Sequence, residues 1–256
     1  MSKELLDSVT AVTKQAAEIV ASYYKDGFTV KDKGQDNPVT EADLATNDFL
    51  AEALPELMPE AAWLSEETKD SPKRLEKEWV WIVDPLDGTR EFTKGIPEFV
   101  VSVALVRQNK AYLGVLVNPI TKQVFSGLVG HGAYLNGQKI EVTGHDQLKG
   151  AKLVCSRSEM AKGWFDEYEA QGVTPTAVGS VAYKFGLVAA GLAEATFTPR
   201  PRSEWDIAAG VAIVEAAGGR CSDKTGSEYR FNQPNILVDG VLASNAHIHE
   251  DLLELM

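Results

Sequence analysis

The chain has 256 residues, enough for one large domain or two small ones packed together. Hydrophobic residues make up 44% of it and the formal net charge is −12. That balance argues against binding a nucleic acid polymer, whose affinity depends on lysines and arginines that neutralise phosphates. It does not argue against a small phosphorylated ligand, because bound metal can supply positive charge locally. Cys155 and Cys221 are the only cysteines. With no CxxC or Cys/His pattern they read as free buried thiols in a reducing cytosol, not as a zinc site. The opening residues, MSKELLDSVTAV, lack the apolar stretch of a signal peptide, and no run of about 18 apolar residues could span a membrane. A cytoplasmic chain with no membrane partner is expected.

In chain order, Leu5, Val9, Val12, Ala16, Ile19, Val20 and Tyr23 recur at steps of three and four, which predicts an amphipathic helix. Residues 29–37 are polar, charged and rich in turn formers; they read as a hairpin or a mobile loop, and Lys31 and Lys33 do not decide between the two. A second helix is expected from an N-cap at Thr40 to about Leu54, with Pro55 as its stop. Trp79 opens WVWIVD, a buried strand that ejects its last residue into a turn. Strands at 99–106, 111–118 and 123–127 follow, then a strand-and-turn unit at 130–137. This is a meander of strands and not an alternation of strand and helix. After a softer stretch at 143–150 come a strand at 152–156, helices at 161–172 and 181–190, a strand at 193–198 and a helix at 206–217 ended by Gly218-Gly219. The expected organisation is an antiparallel-rich α+β N-terminal domain, 1–145, and an α/β C-terminal domain, 146–256, with the active site between them.

Candidate chemistry concentrates in Asp84-Pro85-Leu86-Asp87-Gly88-Thr89. Two carboxylates lie three residues apart just past a strand. Pro85 fixes one backbone angle, and Gly88 permits an unusual one or a close ligand approach. Such a turn can bring Asp84, Asp87 and the Leu86 carbonyl to one point, an oxygen-only set that suits a hard cation, Mg²⁺ in particular. Gly88 and Thr89 add N–H groups and a hydroxyl, and a helix starting there would favour a phosphate. The same letters are also good turn chemistry without a metal. Ser65-Glu66-Glu67 reads equally as a solvated acidic pair at a strand end. Glu204-Trp205-Asp206 opens a helix of small apolar residues, where Asp206 could be an N-cap and Trp205 a packing residue. Asp43, three residues after Thr40, sits at the capping-box position. Jointly these features point to a carboxylate cluster.

The run WIVDPLDGTREF, the element Ser65-Glu66-Glu67 and EWDIAAGVAIVEAAGG (204–219) resemble signature elements of the inositol monophosphatase superfamily, in order and in spacing. These are metal-dependent, lithium-sensitive phosphatases, and the likeness extends to the tail VLASNAHIHEDLL. The resemblance implies a layered α-β-α-β-α sandwich of the sugar-phosphatase type. It implies that Glu66, Asp84, the Leu86 carbonyl, Asp87 and Asp206 hold two or three Mg²⁺ ions, with Glu67 assisting from just outside that set. Asp43 and Thr89 would orient and deprotonate the attacking water, and Gly88 and Thr89 would hold the substrate phosphate. It also suggests a homodimer. A non-catalytic binding module would have no need for the water-activating pair.

Within that superfamily, Arg90-Glu91-Phe92 followed by Pro97-Glu98-Phe99 is closer to the 3'(2'),5'-bisphosphate nucleotidase branch, which typically reads Lys-Glu-Phe and then Glu-Phe. Val154-Cys155-Ser156-Arg157-Ser158 and Gly179-Ser180-Val181-Ala182-Tyr183-Lys184-Phe185 resemble further elements of that branch, which places Ser180, Lys184 and Arg157 at the substrate. A substrate with two phosphates needs a second cationic partner; Arg200 and Arg202 are further candidates, although such residues are often plain solvated surface. Arg90 in place of lysine alters geometry, and the basic residues in FTPRPRS (197–203) are not typical of the branch. The expected activity is hydrolysis of the 3'-phosphate of adenosine 3',5'-bisphosphate to AMP. An inositol 1-phosphate or sugar phosphatase is the alternative.

Overall fold

The computed structural model describes residues 3–32, 34 and 38–256. Helix α1 (Lys3–Asp26) is amphipathic, as its spacing predicts, and buries Leu6, Val9, Ala16 and Val20. An antiparallel hairpin of β1 (Val30–Asp32) and β2 (Pro38–Thr40) leads to α2 (Glu41–Leu57). It is one of the two forms expected at 29–37; Lys33 and residues 35–37 lie outside the described residues. Thr40 caps α2, but Pro55 does not stop it. Proline in a last turn forfeits only one backbone hydrogen bond, and the Met58 N–H still donates to the Leu54 carbonyl at 3.3 Å.

Next come β3 (Ala62–Ser65), a short 3₁₀ helix (Pro72–Glu76), β4 (Trp79–Asp87) and α3 (Thr89–Thr93). The meander follows as β5 (Val100–Arg107), β6 (Lys110–Val117), β7 (Val124–Leu128), β8 (Gly132–Leu135) and β9 (Gln138–Ile140). Strands β3 to β9 form one sheet in sequence order, antiparallel throughout except for the parallel pair β3 and β4. Side chains alternate across it. Trp81, Val83, Val101 and Val103 face α1 and α2, whereas Val80, Ile82, Val100 and Ala104 face the other way.

The second half contains β10 (Lys152–Cys155), α4 (Arg157–Met160), α5 (Asp166–Ala170), β11 (Thr174–Ala177), α6 (Val181–Ala189) and β12 (Ala195–Thr198). It continues with β13 (Arg202–Ser203), α7 (Glu204–Ala216), β14 (Arg220–Ser222), β15 (Leu237–Val238), β16 (Val241–Ser244) and α8 (His249–Leu255). Of the single helix expected at 161–172 only α5 forms; residues 161–165 are turns, with Gly163 at φ +74°, and α4 precedes that span. A five-stranded sheet runs β11-β10-β12-β16-β14.

Helices α6 and α7 fill the space between the two sheets. Helix α7 lies almost on the first sheet, because its residues are small and β6 offers glycine beneath it. A Cβ at Gly114 would collide with the Ala209 carbonyl. Beyond the second sheet, Phe165, Tyr168 and Leu252 pack with Leu153, Cys155 and Phe197. The layers are therefore α-β-α-β-α, the sandwich that the resemblance implies. Cys155 and Cys221 are buried and unbridged. Among the described residues no helix is long and apolar enough to cross a membrane.

His249 locks the last layer. Its ring lies 2.9 Å from Ser222 Oγ and 2.7 Å from Ser244 Oγ, joining α8 to β14 and β16. Burial pushes the imidazole down to about 4 from its ordinary 6.5. Between those values the unfolded chain binds a proton that the folded chain refuses, so stability rises with pH across that window. The stabilisation is full above 6.5 and is lost as pH falls towards 4. Urea unfolding of the wild type therefore loses free energy more steeply from pH 6.5 downwards than unfolding of His249→Gln, whereas parallel profiles would contradict this assignment.

Candidate active site

Strand β4 pairs with β5 in simple register as far as Asp84↔Ser102, and the next pairing is Asp87↔Val100. Three residues on one strand advance against two on the other, which is a β-bulge. In an unbroken strand, residues three apart point to opposite faces. The extra residue returns Asp84 and Asp87 to one face, that of Val80 and Ile82, towards α6 and α7. Pro85 sits inside the bulge, where a ladder N–H is not required. The strand thus runs on through the motif and does not eject Asp84 into a turn. Gly88 (φ 101°) ends it and caps α3, and a Cβ there would lie 3.0 Å from the Glu98 carbonyl.

Two further elements deliver acids to the same point. Because β3 runs parallel to β4, Glu66 leaves the sheet at the same end, its N–H donating to the Val83 carbonyl at 3.3 Å. Helix α7 aims its N-terminus there. Ser203 is its N-cap, and Asp206 is the third helical residue, closing a capping box by accepting the Ser203 N–H at 3.1 Å. Asp206 is therefore not the N-cap that its position after Trp205 suggests. Trp205 packs against the central core.

Carboxylate oxygens of Asp84, Asp87 and Asp206 lie within 4.8 Å of one another. Asp84 Oδ1 accepts the Leu86 N–H at 3.0 Å. Asp87 Oδ2 accepts the Ala182 N–H at 2.6 Å and the Ser180 hydroxyl. The other oxygen of each lies outside these bonds. Burial first, and then repulsion from Glu66, Asp87 and Asp206, holds Asp84 well above the usual carboxylate range. Burial and the charges of Asp87 and Glu66 push Asp206 up to about 8. Burial raises Asp87 too, against the hydrogen bonds from Ser180 and Ala182. Acids crowded this way favour protonation or a cation. The donors are all hard oxygens, so the cluster fits a divalent metal ion.

Asp43 approaches from α2. Its Oδ2 accepts the Thr40 N–H at 2.8 Å and the Thr40 hydroxyl at 2.6 Å, and its Oδ1 accepts the Thr89 hydroxyl at 3.1 Å. Thr89 Oγ also lies 3.0 Å from the Leu86 carbonyl. The capping and functional readings of Asp43 are thus one geometry, each oxygen serving a different partner. Burial raises its pKa, and the charge of Glu67 adds to the effect.

The acids open into a cleft of ≈ 450 Å³ that the cations Arg90, Lys94, Arg157, Lys184, Arg200 and Arg202 also line, and the charges of Lys184 and Arg202 reach Asp87. Ser180 caps α6 through the Tyr183 N–H at 2.9 Å while donating to Asp87. Lys184 is buried, and its Nζ donates to the Ser180 carbonyl at 2.5 Å and the Val178 carbonyl at 3.4 Å. Burial lowers its pKa against the opposing pull of Asp87. Arg157 Nη1 lies 2.6 Å from Glu98 and 3.7 Å from Glu91. Glu98 also accepts the Gly179 N–H at 2.6 Å. The sequence marks Glu91 and Glu98 only as family letters; their grip on Arg157 depends on a fold contact that no spacing reveals.

The whole chain, residues 1–256, matches the model of the inositol monophosphatase family. Inositol monophosphatase 3 of Solanum lycopersicum is 31% identical over 264 residues, covering 99% of this chain and 97% of its own. The 3'(2'),5'-bisphosphate nucleotidase CysQ of Aggregatibacter actinomycetemcomitans is 30% identical, over 93% of this chain and 91% of its own. Among solved structures, extragenic suppressor protein suhB from Bartonella henselae superposes with a TM-score of 0.87 at 26% identity, over 98% of each chain. The chain belongs to the inositol monophosphatase family and is a phosphatase of that family.

If repulsion dominates the metal-free cluster, Asp206→Asn raises the melting temperature in EDTA by roughly 2–4 °C, about 1 kcal/mol. Adding Mg²⁺ then stabilises the wild type more than the variant. Thermal denaturation of both proteins under the two conditions checks this, and an equal gain on adding Mg²⁺ would contradict it.

Proposed function

We propose that the chain is a Mg²⁺-dependent phosphomonoesterase that hydrolyses the 3'-phosphate of adenosine 3',5'-bisphosphate to AMP. One observation carries the reading: a single cleft is lined both by the acids Glu66, Asp84, Asp87 and Asp206 and by the cations Arg157, Lys184, Arg200 and Arg202. A substrate with two separated anions suits such a cleft, one phosphate at the metal side and one at the arginines. In this reading residues 1–145 carry most of the metal ligands and 146–256 complete the site. The protein acts in the cytoplasm as a homodimer and is inhibited by lithium.

Glu66, Asp84, the Leu86 carbonyl, Asp87 and Asp206 would hold two or three Mg²⁺ ions, which supply Lewis acidity to the phosphate and to a bound water. The side chains do the rest. Ser180 fixes one oxygen of Asp87, so the other keeps a constant aim. The N–H groups of Gly88 and Thr89, at the start of α3, hold the phosphate. Thr89 Oγ, donating to Asp43, accepts a hydrogen bond from the water aimed at phosphorus. The proton that the water loses passes to the Thr89–Asp43 pair. The new P–O bond forms as the bond to the 3'-oxygen breaks, and that oxygen takes a proton from solvent. Glu67 tunes Asp43 through its charge.

A second reading, hydrolysis of inositol 1-phosphate, is favoured by the name of the tomato relative. Release of inorganic phosphate from the two substrates, with Mg²⁺ and with or without lithium, separates them. The bisphosphate is expected to show the higher kcat/KM. A preference for inositol 1-phosphate would overturn the substrate, and release from neither would overturn the phosphatase. Asp43→Asn is expected to lower kcat by about 10²- to 10⁴-fold, the usual worth of a general base, with KM little changed. Steady-state kinetics of the purified variant measures it.

A further inference from the structure

The cations that line the cleft are not equivalent. Lys184 is engaged by two backbone carbonyls and Arg157 by Glu98 at 2.6 Å, with Glu91 farther off at 3.7 Å. Arg200 and Arg202 lie on the segment from β12 into α7 and line the same cleft. Behind them stands Glu159, in α4, whose side chain is 1% exposed. Glu159 Oε1 accepts the Thr198 hydroxyl at 2.6 Å, with Arg202 Nη2 at 3.7 Å and Arg200 Nε at 3.9 Å. Glu159 Oε2 and Arg202 Nε are buried and have no hydrogen-bond partner among the described residues. On its other side the Arg200 guanidinium lies over the Trp164 ring, 4.8 Å from the centroid.

A carboxylate buried to this degree is costly unless a cation compensates it. At these separations the attraction is electrostatic and engages no donor in a close hydrogen bond. Thr198 fixes the carboxylate, the carboxylate draws both guanidiniums, and Arg202 Nη1 donates to the Pro201 carbonyl at 3.3 Å, so among the described residues no carboxylate takes a close hydrogen bond from either arginine. An oriented guanidinium that no carboxylate holds in a close hydrogen bond is the group that best matches a phosphate or carboxylate.

We propose that Glu159 is a positioning residue that holds Arg200 and Arg202 as the subsite for a second anionic group of the substrate, a phosphate ester or carboxylate on the part that is not hydrolysed. The inference rests on the phosphomonoesterase reading. It assigns that second charge to this pair and not to Arg157 or Lys184.

The test compares kcat/KM for adenosine 3',5'-bisphosphate with that for adenosine 3'-phosphate, which differ only in the remote phosphate. The pair inositol 1,4-bisphosphate and inositol 1-phosphate serves if the nucleotides are not hydrolysed. Glu159→Gln and Arg202→Gln are expected to lower the ratio by about tenfold or more, the usual worth of a charge-assisted hydrogen bond, mainly through the KM of the bisphosphate. A merely structural role would lower both substrates together and leave the ratio intact; that result overturns the proposal. Should Glu159→Gln fail to fold, Arg202→Gln and Arg200→Gln carry the test. If the wild type hydrolyses no ester, the phosphatase reading falls separately, and calorimetric binding of adenosine 5'-phosphate decides the subsite. Equal affinity for wild type and Arg202→Gln then overturns it, and weaker binding to the variant supports it.

Discussion

The constraint on which the rest depends is the crowding of Asp84, Asp87 and Asp206, whose oxygens lie within 4.8 Å of one another. Like charges at that distance in a poorly solvated place repel strongly, so the fold must both create the crowding and tolerate it. It creates it with three devices. The bulge turns two acids of β4 to one face, the parallel strand β3 brings Glu66 to the same edge, and glycine in β6 lets α7 lie close enough to deliver Asp206. It tolerates it by placing acids at helix N-termini. Asp206 is in the first turn of α7, and Asp87 accepts the Ala182 N–H in the first turn of α6. Both positions put a carboxylate where helix N–H groups and the helix dipole favour negative charge.

The same economy recurs at Asp43. It closes the capping box of α2 with one oxygen and receives Thr89 with the other. Asp43 and Asp206 both close capping boxes, so in each case the bond that starts the helix also fixes the carboxylate's orientation at the cleft. Stability and site geometry are therefore coupled at these residues. Arginines that line the cleft follow a different rule, because carboxylates stand beside them: Glu98 and Glu91 by Arg157, and Glu159 by Arg200 and Arg202.

Much of this was legible beforehand. The three-and-four spacing of α1 follows from periodicity, strands β5 to β7 and helix α7 from their apolar runs and the turn residues that bound them, and the acidic elements are visible as letters. What was not legible has physical reasons. The letters Asp-Pro-Leu-Asp-Gly suit a loose turn as well as a bulged strand, and only the register with β5 decides. Pro55 forbids a helix interior by rule, yet a last turn tolerates it. Strands β11, β14 and β16 are too short for a period to appear. Glu159 is one acid among many; its burial comes from the packing of α4 against the end of β12, which no local pattern records. The bracketing of His249 by two serines is likewise a contact between segments far apart in order.

The central claim is that the acids at the bulge exist to hold divalent cations. Crystals grown with Mn²⁺, measured at a wavelength where manganese scatters anomalously, test it without recourse to activity. The account predicts anomalous peaks among the carboxylates of Glu66, Asp84, Asp87 and Asp206, and loss of the peak nearest Asp87 in Asp87→Asn crystals. Anomalous density absent from that cluster, or found only at other acids on the surface, would contradict it.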